Sequence, residues 1–214
     1  MNPHRTRIKI CGVRDAGMAR RAAEAGADAI GLVFHPGSPR FVTPAQAREV
    51  ASSLPAFVSA VGLFVNAPAE RVRETIGEVP LSLLQFHGDE DPAYCGQFGL
   101  PWLKAVRVGE GTDLLECRGR FSRAAALLLD ACVPGEFGGT GASFDWTLVP
   151  RDLASRIVLS GGLEPGNVGE AIRLVRPWAV DVSSGVESSR GVKDAARILE
   201  FVRSVRDADA RTAP

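Results

Sequence analysis

Short runs rich in Val, Ile, Leu, Phe and Ala recur about every 20–32 residues along the chain, each followed by a stretch whose apolar positions follow helical spacing. The runs predict eight strands, near 7–11 (RIKIC), 28–34, 57–64, 81–87, 102–108, 124–130 (AAALLLD), 156–160 and 179–183. Helices are predicted between and after them, near 14–25, 44–53, 68–77, 91–98, 112–119, 145–149, 165–175 and 192–206. Thr43-Pro44 places a capping hydroxyl before a first-turn proline, and Gly26 is a natural stop before the second strand. The sixth helix has the weakest pattern, because residues 131–144 read as a long glycine-rich loop. Beyond about residue 207 the sequence DADARTAP is polar and is expected to fray, leaving residues 1–207 as one domain and 208–214 as a tail.

Strict strand–helix alternation specifies an α/β fold, either an open doubly wound sheet or a closed barrel. An open sheet normally carries a phosphate-binding turn after its first strand. Here that turn is CGVRD, with neither dinucleotide nor P-loop glycine spacing. The glycines instead gather after strands six, seven and eight, where barrels bind phosphate. The expectation is a single-domain (β/α)8 TIM barrel.

Composition narrows the function classes. With 25 basic and 25 acidic residues the net charge is zero, and sparse aromatics do not interleave with basic runs, so no nucleic-acid surface is expected. No apolar run reaches the ~18 residues of a membrane span, and MNPHRTRIKICG lacks an apolar leader. Cys11, Cys95, Cys117 and Cys132 lack metal-ligand spacing, so no metal is expected. A chain of 214 residues with 45% hydrophobic residues has no need of disulfides, and a cytoplasmic location follows.

Barrel active sites lie at the C-terminal strand ends, here Cys11, His35, His87, Arg107, Asp130, Ser160-Gly161-Gly162 and Ser183-Ser184-Gly185. Gly161, Gly162, Ser184 and Gly185 form the candidate phosphate cradle, since glycine admits an oxyanion to backbone N–H groups and serine adds a donor. Gly138-Gly139-Thr140-Gly141 is a candidate lid. Most free cysteines are small buried hydrophobes, and Cys95, Cys117 and Cys132 read that way. Cys11 differs because it ends a strand directly before Gly12; a modest depression of its pKa would make it a base at neutral pH. Asp130 ends a wholly apolar strand, where desolvation would help it hold a proton and a structural hydrogen bond is the competing use. Strands one and six are three steps apart around a ring of eight, so the thiol and the carboxyl face each other across the mouth. Arg40 reads equally as a carboxylate fork and as a solvated loop arginine, and His87 as a supporting hydrogen-bond partner.

In order along the chain, KICGVRD (9–15), GLVFHPGSPRFV (31–42), LLQFHGDED (83–91), LLLDA (127–131), GGTGASFDW (138–146), VLSGGLEPGNV (158–168) and VDVSSGVES (180–188) together resemble the phosphoribosylanthranilate isomerases of tryptophan biosynthesis. The resemblance implies a ribulose-phosphate-binding barrel and an Amadori rearrangement of N-(5-phosphoribosyl)anthranilate that needs no metal or redox cofactor. It also implies Asp130 as the acid that opens the furanose ring, Cys11 as the base, Arg40 on the anthranilate carboxylate and the Gly/Ser clusters on the phosphate. The partner implied is a small phosphorylated molecule, with the chain a monomer or homodimer. Three rivals remain open at this point. The histidine-pathway isomerase carries an aspartate where Cys11 stands, and indoleglycerol-phosphate synthase uses lysines and a longer N-terminus. A non-catalytic phosphosugar-binding barrel would keep the cradle without Cys11 and Asp130.

Overall fold

The computed structural model describes residues 5–131 and 143–212. Eight parallel strands close into a barrel in sequential order: β1 (Arg7–Cys11), β2 (Ala29–Val33), β3 (Ser59–Phe64), β4 (Leu83–Phe86), β5 (Trp102–Val108), β6 (Ala126–Ala131), β7 (Ile157–Leu159) and β8 (Ala179–Val182). The ring is sealed by β8 on β1, where Lys9 stands opposite Asp181; on the other edge of β1, Cys11 stands opposite Gly31. Outside the ring run α1 (Ala16–Ala25), α2 (Pro44–Ser52), α3 (Ala69–Glu78), α4 (Pro92–Cys95), α5 (Leu114–Arg120), α6 (Val168–Val175) and α7 (Ala195–Thr212).

Local chemistry sets several boundaries. The Asp15 carboxylate accepts from Met18 N to start α1, and Gly26, left-handed at φ 118°, ends it. Thr43 and Gln46 cap α2 reciprocally, with Pro44 at its first position. Alternation then divides each strand between two cores. Ile8 and Ile10 pack outward against the helices, while Leu103, Ala105, Ala126, Leu128, Val158 and Ala179 fill the barrel interior. Fully burying a leucine such as Leu128 contributes about 1.5–3 kcal/mol. Above that layer Cys11, Val33 and Leu63 form a smaller apolar cluster under the C-terminal mouth.

The structure departs from expectation in three places. The sixth connection holds two 3₁₀ turns, Trp146–Leu148 and Arg151–Arg156, in place of an α-helix. A short antiparallel hairpin, β9 (Glu187–Ser189) and β10 (Val192–Lys193), follows β8. The helix expected to end at 206 continues to Thr212: Ala208 is buried, and Asp209 accepts from Thr6 N at 2.8 Å and Thr6 Oγ1 at 2.7 Å. Polarity alone suggested fraying, whereas a distant backbone group supplies the partner. Cys132 and the Gly138–Gly141 lid lie outside the described residues. Among the described residues no helix is long and apolar enough to cross a membrane.

Candidate active site

A pocket of about 670 Å³, counting its open mouth, occupies the C-terminal end of the barrel. Cys11, Arg40, His87, Asp130, Gly161, Gly162 and Ser184 all line it.

Cys11 points inward because β1 alternates, and its Sγ is buried over Gly31, where a methyl group would lie only 2.7 Å from the sulfur. Burial pushes the thiol above its ordinary value; the Lys9 and Lys193 ammoniums pull it down, and Asp181 pushes it up. The expected modest depression is therefore not what the site imposes on the thiol: desolvation outweighs the two cations. Cys95 is buried and pushed up to about 12 by desolvation, and Cys117 is raised for the same reason. Both fit the bland role expected of them.

Asp130 lies on the opposite wall, its Oδ2 3.1 Å from His87 Nε2 and its Oδ1 accepting from Ala131 N at 3.0 Å. Gln85, two residues before His87 and so on the same inward face of β4, places Nε2 2.9 Å from His87 Nδ1. An amide N–H donating there puts the ring proton on Nε2, aimed at Asp130. Both ring nitrogens are thus engaged within the protein, so His87 serves Asp130 and does not offer a substrate a free nitrogen. Gln85 Oε1, also buried, has no protein partner.

Arg40 is buried, not solvated, and its Nε and Nη2 grip Glu187 Oε1 and Oε2 at 2.7 and 2.9 Å. Gly12, at φ 79°, is what lets the arginine pass: a Cβ there would lie 2.5 Å from Arg40 Cδ. The expected open fork is accordingly engaged on this side by a carboxylate of the protein itself. Lys193 Nζ bonds the same Glu187 at 2.6 Å, and despite its burial these partners hold the Glu187 carboxyl down at about 2. The group carries one net positive charge at the pocket wall. Arg107 reaches away to the rim, where it pairs with Asp89 at 2.6 Å.

Gly161 and Gly162 have φ of 82° and 62°, and a Cβ on Gly161 would lie 2.7 Å from Ala131 N. Both are left-handed, and at Gly161 a side chain has no room. Gly185 differs from its neighbours: it does not line the pocket, and a Cβ on it would meet Leu163 O at 2.0 Å. Its absence of side chain presses the β8 loop onto the β7 loop that carries Gly161 and Gly162. Asn167 Nδ2 donates to Gly162 O at 2.9 Å and steadies that turn.

Sequence reasoning passed over Lys9, Gln85, Asp181, Glu187 and Lys193. The first three share the inward face of their strands with Cys11, His87 and Ser183, which alternation shows once the ring is known to close. Glu187 and Lys193 sit on a polar hairpin that no apolar run announces. Among the described residues no group of three or more His, Cys, Asp or Glu side chains is arranged to hold a metal ion.

The family model for N-(5'phosphoribosyl)anthranilate (PRA) isomerase matches residues 8–204. The chain is 56% identical over 205 residues to the N-(5'-phosphoribosyl)anthranilate isomerase of Dechloromonas aromatica, covering 96% of this chain and 98% of that protein. To the Leptothrix cholodnii protein of the same name it is 54% identical over 212 residues, 99% and 96% of the two chains. The crystal structure of phosphoribosyl anthranilate isomerase from Thermotoga maritima superposes with a TM-score of 0.86 at 39% identity, covering 94% of this chain and 99% of that one. A crystal structure of phosphoribosyl anthranilate isomerase in complex with reduced 1-(o-carboxyphenylamino)-1-deoxyribulose 5-phosphate gives 0.83 at 38% identity, with the same coverage. With the fold, the pocket and these likenesses in agreement, the chain belongs to the N-(5'-phosphoribosyl)anthranilate isomerase family.

Proposed function

We propose that Cys11 and Asp130 are the general base and general acid of the family's reaction in this chain. The reaction is the Amadori rearrangement of N-(5-phosphoribosyl)anthranilate to 1-(2-carboxyphenylamino)-1-deoxyribulose 5-phosphate, an aldose–ketose isomerisation in tryptophan biosynthesis. Asp130 gives a proton to the furanose oxygen as the bond from that oxygen to C1 breaks, leaving an iminium. The Cys11 thiolate takes the C2 proton, and the electron pair forms the enolamine. Ketonisation returns a proton to C1 while the C2 hydroxyl loses one. Each turnover leaves a thiol and a carboxylate, so one proton must pass back to Asp130 before the next.

The single observation carrying this reading is that a buried thiol and a buried carboxyl share one pocket with the Gly161–Gly162 turn. That turn, with Ser184, is the proposed phosphate seat, and Gly185 supports it from behind. Arg40, fixed by Glu187, is the proposed cation for the anthranilate carboxylate. The test is an assay with freshly made substrate, following loss of anthranilate fluorescence. No turnover by folded protein overturns the reading, and turnover of the histidine-pathway substrate would widen it.

Free thiols at Cys11, Cys95 and Cys117 support a cytoplasmic location. A homodimer is the favoured assembly. Phe57 is wholly exposed with φ at 72°, a strained conformation for an aromatic residue, at the N-terminal end of the barrel. At that same end Ser59, Leu83, Leu103 and Trp178 line an apolar hollow suited to receive such a ring from a second copy. A solved Thermotoga maritima relative at 37% identity is a set of monomers generated from a dimeric phosphoribosylanthranilate isomerase. Phe57→Asp should convert a dimer into monomers in light scattering; a monomeric parent chain would overturn the assembly.

A further inference from the structure

A thiol sealed in a barrel is a poor base unless something stabilises its anion, because the buried anion has lost its water. Lys9 and Cys11 are two apart on β1, so both enter the barrel on the same face. The Lys9 ammonium is buried, is tethered to Asp181 Oδ1 at 2.8 Å, and shares with the Cys11 sulfur the space over Gly31, from which it favours the thiolate. Gly31 makes the meeting possible: a methyl group there would lie 2.7 Å from Sγ and 3.1 Å from Lys9 Nζ.

We propose that Lys9 is a positioning residue for the base: anchored by Asp181, its ammonium shares the space over Gly31 with the Cys11 sulfur and stabilises the thiolate that takes the substrate's proton. The inference rests on the reading of Cys11 as base. Lys9 keeps its own protons throughout, since Asp181 and Cys11 together raise it despite its burial. Gly31, Val33 and Leu63 add no charge around the sulfur. Lys193 is the other nearby cation, but its Nζ already donates to Glu187 Oε1, Ser183 O and Ser183 Oγ at 2.6, 3.0 and 3.2 Å, which uses all three of its donors. Asp181 opposes the thiolate, so its service is to hold the lysine in place. His35 and Arg40 line the same pocket from the loop after β2, with His87 and Asp130 across it.

The experiment titrates the Cys11 thiolate by its ultraviolet absorbance in the full chain, with Cys11→Ser as blank, beside the pH profile of kcat/KM. Lys9→Met should raise the midpoint by about one pH unit or more and lower kcat/KM at neutral pH about tenfold, with KM little changed. Lys9→Met with Asp181→Asn leaves no orphaned carboxylate and carries the test should the single variant not fold; its midpoint should rise too, because Lys9 acts on the thiol more strongly than Asp181 does. A midpoint unmoved or lowered in the folded variants overturns the role of Lys9. Near-normal turnover by Cys11→Ala would instead remove the base assignment, so the two readings fail separately.

Discussion

The two walls that face each other across the pocket solve different electrostatic problems. Behind Cys11 stand three buried cations, Lys9, Lys193 and Arg40, and two buried carboxylates, Asp181 and Glu187. Behind Asp130 runs a chain without a lysine or arginine, Gln85 to His87 to the carboxyl, at 2.9 and 3.1 Å. An acid that begins neutral needs only an oriented partner for the charge it acquires on giving up its proton. A base that must be an anion before the reaction starts needs a counter-charge already in place, and burial magnifies that need. With Cys11 as the thiolate, the three cations on its side are matched by three anions, so that wall is neutral before the substrate arrives.

The largest effects should come from the two groups proposed to react. Cys11→Ala and Asp130→Asn are each expected to lower kcat by roughly a hundredfold or more, the scale of acid–base catalysis, with product affinity largely retained in equilibrium titration. Their double variant should be little worse than either single one, because the groups act in one sequence. A strictly multiplicative loss would break the idea of two walls serving one proton cycle.

Stability should distinguish the walls next. Glu187→Ala leaves Arg40 and Lys193 buried without their shared counter-ion, and breaking such a pair costs about 3–5 kcal/mol in urea unfolding. The acid limb of stability has a definite sign. The Glu187 carboxyl is held at about 2 against an ordinary 4.5, so its contribution is complete above pH 4.5 and is lost as pH falls toward 2. Glu187→Gln should lose that part of the acid sensitivity while unfolding at lower urea at neutral pH. An unchanged acid slope would mean that the charge cluster contributes nothing to folding.

How much of this was legible beforehand follows from which face a residue occupies. All eight strands and the strand-end residues announced themselves, because a parallel barrel strand is apolar toward the helices and changes character where it meets the mouth. Lys9 in RIKIC did not, since a charged residue alternating with isoleucine reads as a solvated strand face. Only closure of the ring turns that face inward. Arg40 looked like a loop arginine because its partner Glu187 lies 147 residues away on a hairpin with no apolar signature. The hydrogen bonds of Asp209 escaped notice for the same reason: pairing across the chain leaves no local trace.

The smallest effect, and the finest test of the contrast, concerns Gln85. Its amide fixes which nitrogen of His87 bears the proton, and through it what Asp130 meets once it becomes a carboxylate. Leucine at this position keeps most of the volume but removes the donor and the unpartnered Oε1 together. One neutral hydrogen bond is worth about 0.5–1.5 kcal/mol, so Gln85→Leu should lower kcat roughly two- to tenfold, far less than losing Asp130 itself. The tautomer can be watched directly, because the chain has only three histidines and nitrogen NMR separates their ring atoms. The parent protein should show His87 protonated at Nε2, and the variant a mixture. If the variant keeps both full turnover and a pure tautomer, the Asp130 wall is not a relay but a lone carboxyl. The difference between the walls would then reduce to the charges behind Cys11.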